Sequence, residues 1–243
     1  MKRTERHRLK ENEVASTVAR AKEAYENYRT PILAATIVAA VVVVAVAGFV
    51  AYRSQTNTRS SELLANAMTI EQTRVAPAPV PGAAPAPAPA GAFPTEKARD
   101  EAALARFMAA ANDYPSTDSG IAARYHAAAL LTALGRTTEA VQRYQEVVNR
   151  AGTSVYGQMA KLGMADAEAA AGKFDAAIAT YRELSTASSS DLPVDGILMQ
   201  LGHAYDAAGK ASDARQTFKR IVDEFPQSAY AAEAKRAMDL LKG

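Results

Sequence analysis

Few side chains in this sequence could move a proton or hold a metal, and they are scattered. The histidines are His7, His126 and His203, and the acids on neighbouring helical surfaces include Asp206, Asp223 and Glu224. A metal site needs imidazoles and carboxylates converging on one ion, and helices supply them one turn apart. His126 and His203 have no second histidine within a turn. The ordinary reading is partly exposed helix histidines and solvated acids. No Gly-rich phosphate loop and no serine nucleophile turn occurs. Cysteine is absent, which removes disulfides, thiolate metal sites, a cysteine nucleophile and a lipid-modified N-terminal cysteine. The expectation is a protein without catalysis, cofactor or metal.

Tyr125, Met159, Leu162, Met199 and His203, with Asp166 and Asp206 beside them, suggest a different chemistry. Aromatic rings and flexible thioethers adapt to apolar or extended peptides. Whether these residues share one surface depends on the elements that carry them.

Those elements recur. Gly135, Gly172 and Gly209 are spaced by 37 residues, as are Ala140, Ala177 and Ala214, and then Tyr144, Tyr181 and Phe218. A partial earlier copy has Ala103 and Phe107, and Tyr114-Pro115 answers to Phe225-Pro226. Fixed spacing of this kind marks a repeat array. In the last copy, helix A is predicted over 194–208 and closes on Gly209, a residue suited to the left-handed turn after a helix. Helix B is predicted over 212–224 and stops before Pro226. Gly202 and Ala214 let the two helices approach, while Tyr205 and Phe218 fill the space between pairs.

Leu201-Gly202, Tyr205, Ala214, Phe218 and Pro226 resemble the tetratricopeptide repeat pattern position for position. The middle copy departs, with Met164-Ala165, Glu168 and Ser189 at the corresponding places; the copy before it has Ala127-Ala128 and Leu131. The resemblance implies an all-α fold, a right-handed superhelix of about 3.5 to 4 helix pairs closed by a capping helix over AYAAEAKRAMDLLK. The usual unit has about 34 residues, and the surplus here is expected in inter-repeat turns such as SSSDLPVD. Helix A lines the concave wall of such a superhelix, which would place Tyr125, Met159, Leu162, Asp166, Met199, His203 and Asp206 there. Leu162 fits interhelical packing equally well. The basic and Asn pairing that clamps C-terminal carboxylates in some repeat domains is not evident.

Residues 30–52 carry no charge and lie between Arg29 and Arg53. As a helix of about 1.5 Å per residue they span roughly 34 Å, enough for a bilayer core of about 30 Å. Ala45-Val46-Ala47 offers a signal-cleavage alternative, but the apolar run exceeds the usual signal core of about 7–15 residues, so an uncleaved anchor is expected. The sequence 1–29 holds eight Lys/Arg against five Glu, whereas 96–243 holds 17 against 19 acids, so no nucleic-acid partner is implied. Flanking Lys/Arg bias puts this basic tail in the cytoplasm. For a bacterial inner membrane the remainder is then periplasmic. Val14, Val18, Ala21, Tyr25 and Tyr28 form an a/d stripe, which fits self-pairing into a homo-oligomer, docking on a membrane partner, or a solvated helix.

Residues 53–74 include a short helix expected over 60–72, capped by Ser60 or Ser61, which could serve as helix A of the first repeat. Residues 75–95 are a Pro/Ala-rich spacer, and 96–243 form the repeat domain. This architecture, with the tail MKRTERHRLKENE, resembles the ancillary SecYEG translocon subunit family. That resemblance implies translocon subunits and periplasmic chaperones as partners. EFPQSAYAAEAKRAMDLL also resembles terminal repeats of outer-membrane assembly and Tol-Pal-associated proteins, so an envelope assembly or division scaffold is the alternative.

Overall fold

The computed structural model describes residues 3–77, 89–187 and 191–241. Its helices are α1 (Arg3–Glu71), α2 (Glu96–Asp113), α3 (Asp118–Ala133), α4 (Thr137–Ala151), α5 (Val155–Ala170), α6 (Phe174–Thr186), α7 (Val194–Ala207), α8 (Ala211–Glu224) and α9 (Ala231–Leu240). The chain divides into two units, Met1–Gln55 and Thr56–Gly243.

In the first unit α1 exposes its apolar side chains: Leu33, Ile37, Val41, Val44, Phe49 and Val50 all stand open. Among the described residues this is one helix long and apolar enough to cross a membrane, with a window of mean hydropathy 2.8 and nothing of it buried. Val18, Tyr25 and Tyr28 of the a/d stripe are exposed too, and the side chain of Val14 lies outside the described residues.

The helix does not restart at Ser60. No Gly or Pro interrupts 53–59, so α1 runs on to Glu71, and the serines lie inside it. Each hydroxyl donates to the carbonyl three residues back, Ser60 to Asn57 at 2.9 Å and Ser61 to Thr58 at 2.8 Å. This is back-bonding within a helix rather than capping. The end of α1 buries Ala67 and packs Leu63, Leu64, Met68 and Ile70 into the core formed with α2 and α3.

From α3 onward the pairs are regular. Helices α4, α6 and α8 begin at residues 137, 174 and 211, each after a turn closed by glycine in the left-handed region, φ +74° at Gly135, Gly172 and Gly209. That conformation is cheap only for glycine. The backbone bonds repeat with it: Arg136, Lys173 and Lys210 donate to the carbonyls of Leu131, Glu168 and Tyr205 at 2.8, 2.8 and 2.9 Å. Ser188–Ser190, part of the turn read as holding surplus residues, lie outside the described residues.

Within a pair, small residues set the distance. A Cβ on Gly202 would come within 2.3 Å of the Phe218 ring, so only glycine lets α7 lie against α8. Ala140, Ala177 and Ala214 have no exposed surface, and Tyr144, Tyr181 and Phe218 are buried beside them. Tyr205 and Ala208 pack at the edge of the same core, with α9 closing it through Ala234, Ala237 and Met238.

The described residues on either side of 78–88 are joined to one another. Val75 and Phe93 pair in parallel, with Phe93 N–H donating to Arg74 C=O at 2.9 Å and Ala76 N–H donating to Phe93 C=O at 2.8 Å. Parallel pairing cannot be closed by a tight turn. Replacing 78–91 with a Gly/Ser segment of about half that length should leave the thermal midpoint within about 2 °C. Cutting the segment to a two-residue turn should lower it, because the Val75–Phe93 bridge must break. Thermal melting by circular dichroism distinguishes the two.

Candidate protein-binding face

Among the described residues α5 touches α3 on one side and α7 on the other, whereas α4, α6 and α8 make no comparable contact beyond their sequence neighbours. Helices that crowd together occupy the inside of a curved stack, so α3, α5 and α7 form its inner wall. Acids outnumber bases on these three helices. They carry Asp118, Asp166, Glu168, Asp195 and Asp206, against Arg124 and Lys161. Both bases are engaged elsewhere: Arg124 with Glu146 on α4, and Lys161 with Glu183 on α6.

Tyr125 on α3 is half-buried at the centre of an aromatic group. Its ring meets Tyr144 edge-on at 5.8 Å, Tyr156 at 6.1 Å and His126 at 5.8 Å. Tyr156, at the start of α5, is 38% exposed. Tyr144 reaches this group from α4 because Gly163 leaves room: a Cβ there would lie 2.5 Å from Tyr144 Cζ. Tyr181 reaches in from α6, and its hydroxyl donates to Asp166 Oδ1 at 2.6 Å.

Although the Asp166 side chain reaches the surface, desolvation by the protein packed around it raises its pKa above the usual aspartate range, against the opposing Tyr181 hydrogen bond. Burial also raises Tyr125, with the Asp166 charge adding to it. Tyr144 and Tyr181 are pushed up chiefly by burial as well, so these phenols stay neutral donors. A raised carboxyl pKa in the folded state means that folding favours the protonated form. The associated stability is present below the unfolded value of about 3.9 and is lost as pH rises through the folded value. Asp166→Asn, which keeps an acceptor for Tyr181, should therefore raise the thermal midpoint at pH 7. The gain should shrink as pH falls toward the ordinary aspartate value, as melting across that range will show.

His126 and His203 have structural partners. His126 stacks on Phe107 at 5.0 Å, and its Nδ1 lies 3.6 Å from Glu71 at the end of α1. His203 packs edge-on against Phe218 at 5.4 Å, with Nε2 3.7 Å from Glu233 of α9. Each thus joins an end helix to the stack. Among the described residues no three His, Asp or Glu converge as a metal site would require.

The structure separates the residues expected on the wall. Tyr125 and Asp166 lie close enough for the carboxylate to act on the phenol, and Met159 is half-exposed on the same helix as Asp166. His203 and Asp206 are exposed on α7. Leu162 is half-buried and packs into the second core. Met199 is 3% exposed inside that core, which removes it from the partner surface. Its neighbours Ile197, Leu198 and Leu201 are buried too, so this turn of α7 packs on nearly all sides. Tyr156 and Gly163 belong to the face but escaped the sequence reading, since neither occupies a marked repeat position.

The chain belongs to a family described as tetratricopeptide repeat-like domain, which matches residues 22–234. Such an array is a scaffold for protein–protein interaction, and the fold is generally non-catalytic. Among solved structures it is similar to a tetratricopeptide repeat protein from Parabacteroides merdae, at 17% identity and TM-score 0.50 over 61% of this chain; it spans 56% of that protein's length. It is also similar to the nearly identical TPR-like repeats assigned to a Podosopora anserina kinesin light chain, at 14% identity and TM-score 0.54, covering 76% of this chain and 94% of that one. At these identities the likeness is one of fold. Among curated proteins none matches significantly.

Proposed function

We propose that this protein is a scaffold anchored by one span in a bacterial inner membrane, with its repeat array in the periplasm. The observation that carries the reading is the charge-free run 30–52, exposed at every described side chain, on a helix that continues toward the repeat array. Exposed apolar surface on that scale is costly in water and normal in lipid. Lys10, Arg20, Lys22 and Arg29 before the run, against Arg53 and Arg59 after it, support a cytoplasmic tail.

The array serves Sec-dependent export or the handover of exported chains to periplasmic chaperones, in keeping with the resemblance to ancillary translocon subunits. Residues 60–71 act as helix A of the first repeat, supported by the packing of Ala67 and Leu64 into its core. The partner surface is the inner wall around Tyr125, Met159, Leu162, Asp166, His203 and Asp206. A photo-crosslinker at exposed Arg59 or Glu62, followed by mass spectrometry from intact cells, tests this. Recovery of translocon subunits is the expected result. Recovery of only peptidoglycan or outer-membrane assembly factors overturns the export role in favour of envelope assembly.

A further inference from the structure

We propose that the inner wall around Tyr125, Tyr156 and Asp166 holds the side chain of a lysine or arginine, presented by an extended segment of a partner protein. The inference rests on the reading of this wall as the partner surface and specifies what it selects. Tyr125 and Tyr156 stand at 66° to one another, 6.1 Å between centroids, forming two sides of a corner. The faces of aromatic rings attract cations electrostatically. Asp166 adds a carboxylate with one oxygen held by the Tyr181 hydroxyl at 2.6 Å, which fixes its direction.

No lysine or arginine forms an ion pair with Asp166 among the described residues. The one lysine on α5, Lys161, turns away to Glu183, and the one arginine on α3 is 3% exposed and committed to Glu146. Many of the basic residues of the stack sit instead on other helices, among them Arg143 and Arg150 on α4, Arg182 on α6, and Arg215, Lys219 and Arg220 on α8. Asp166 on this wall is therefore left without a basic partner among the described residues.

Charge and solvation then rank the occupants. An acidic side chain or a C-terminal carboxylate would meet Asp166 with like charge and no base to offset it. An apolar side chain would strip water from the exposed Asp166 carboxylate and return no partner for it. A lysine or arginine stem lies along the rings while its head reaches the carboxylate, offsetting both costs. Asp166 is solvent-exposed on α5, so a partner's cation can reach its free oxygen.

The test uses the full chain in lipid nanodiscs, panned against a random peptide library displayed on phage, with the affinities of selected peptides measured by fluorescence anisotropy. Selected peptides are expected to share one lysine or arginine. Its replacement by norleucine should weaken binding about tenfold. Asp166→Asn should erase that difference while leaving the norleucine peptide's affinity unchanged, and Tyr156→Ala should weaken the cationic peptide alone. Circular dichroism checks that both variants stay folded. Peptides that bind without a shared cation, or that discriminate equally well in Asp166→Asn, overturn the cationic subsite but leave the scaffold reading standing. A library that yields no binder overturns both.

Discussion

Phe218→Ala is expected to cost about 3–5 kcal/mol, the usual toll of emptying a buried aromatic site, and to unfold the C-terminal helix pair before the rest. The ring is 1% exposed, fills the gap that Gly202 leaves, and supports His203 edge-on at 5.4 Å. Collapse around the cavity is limited because Ala214 and Ile221 beside it are already fully buried. In a repeat array the loss stays near the site, since each unit contacts only its neighbours. Native-state hydrogen exchange should show protection lost in α7, α8 and α9 and retained in α3 and α4. Uniform loss across all these helices would mean that the array melts as one block.

Glu146→Ala should be almost as damaging, at about 3 kcal/mol. Arg124 is 3% exposed in the middle of α3, and its Nη2 donates to the Ala111 carbonyl at the end of α2 at 2.8 Å. Its Nε lies 2.8 Å from Glu146, but Nε and Nη1 make no directed hydrogen bond among the described residues. Burial, then the charge of Arg150, pull its pKa below the ordinary value, with Glu146 pulling the other way. Removing Glu146 leaves a buried cation beside Arg143 and Arg150 with no counter-charge. Breaking such a pair from one side costs about 3–5 kcal/mol, and the partial exposure of Glu146 places this case at the lower end. The double variant Arg124→Leu, Glu146→Ala should recover most of the loss. A denaturant-melt cycle measures the coupling, and additive single effects would show that the pair does not interact.

How much of this was legible beforehand depended on what each residue's neighbours along the chain could reveal. The glycines, alanines and aromatics at 37-residue intervals are set by backbone geometry and pair packing, which every copy must satisfy, so they stood out by recurrence. Helix boundaries followed, with α7 and α8 within about one residue of expectation. Ser60 misled because a serine before an apolar run looks like a cap, and nothing local shows that the preceding helix has not ended.

The face was harder to read. Repeat register put Met199 on the wall, yet the packing of this turn of α7 is decided by α6 and α8, which no local pattern encodes. Tyr156 and Gly163 fall between marked positions, and only the approach of α5 to Tyr144 gives them their place. Arg124 carried one hint, a lone charge inside IAARYHAAALL. A long basic side chain in such a run either reaches water or meets an acid, and the sequence does not say which.

The three turns closed by Gly135, Gly172 and Gly209 have a consequence for ancestry. Their φ values agree at +74°, and the helices after them begin 37 residues apart. A recombination that joins the stretch ending at Gly135 to the one following Gly172 unites chain ends already bent alike. Whole pairs can therefore be gained or dropped through unequal crossover without inventing a junction. The number of subsites along the wall becomes a matter of copy number, adjustable in a lineage independently of what any one subsite selects.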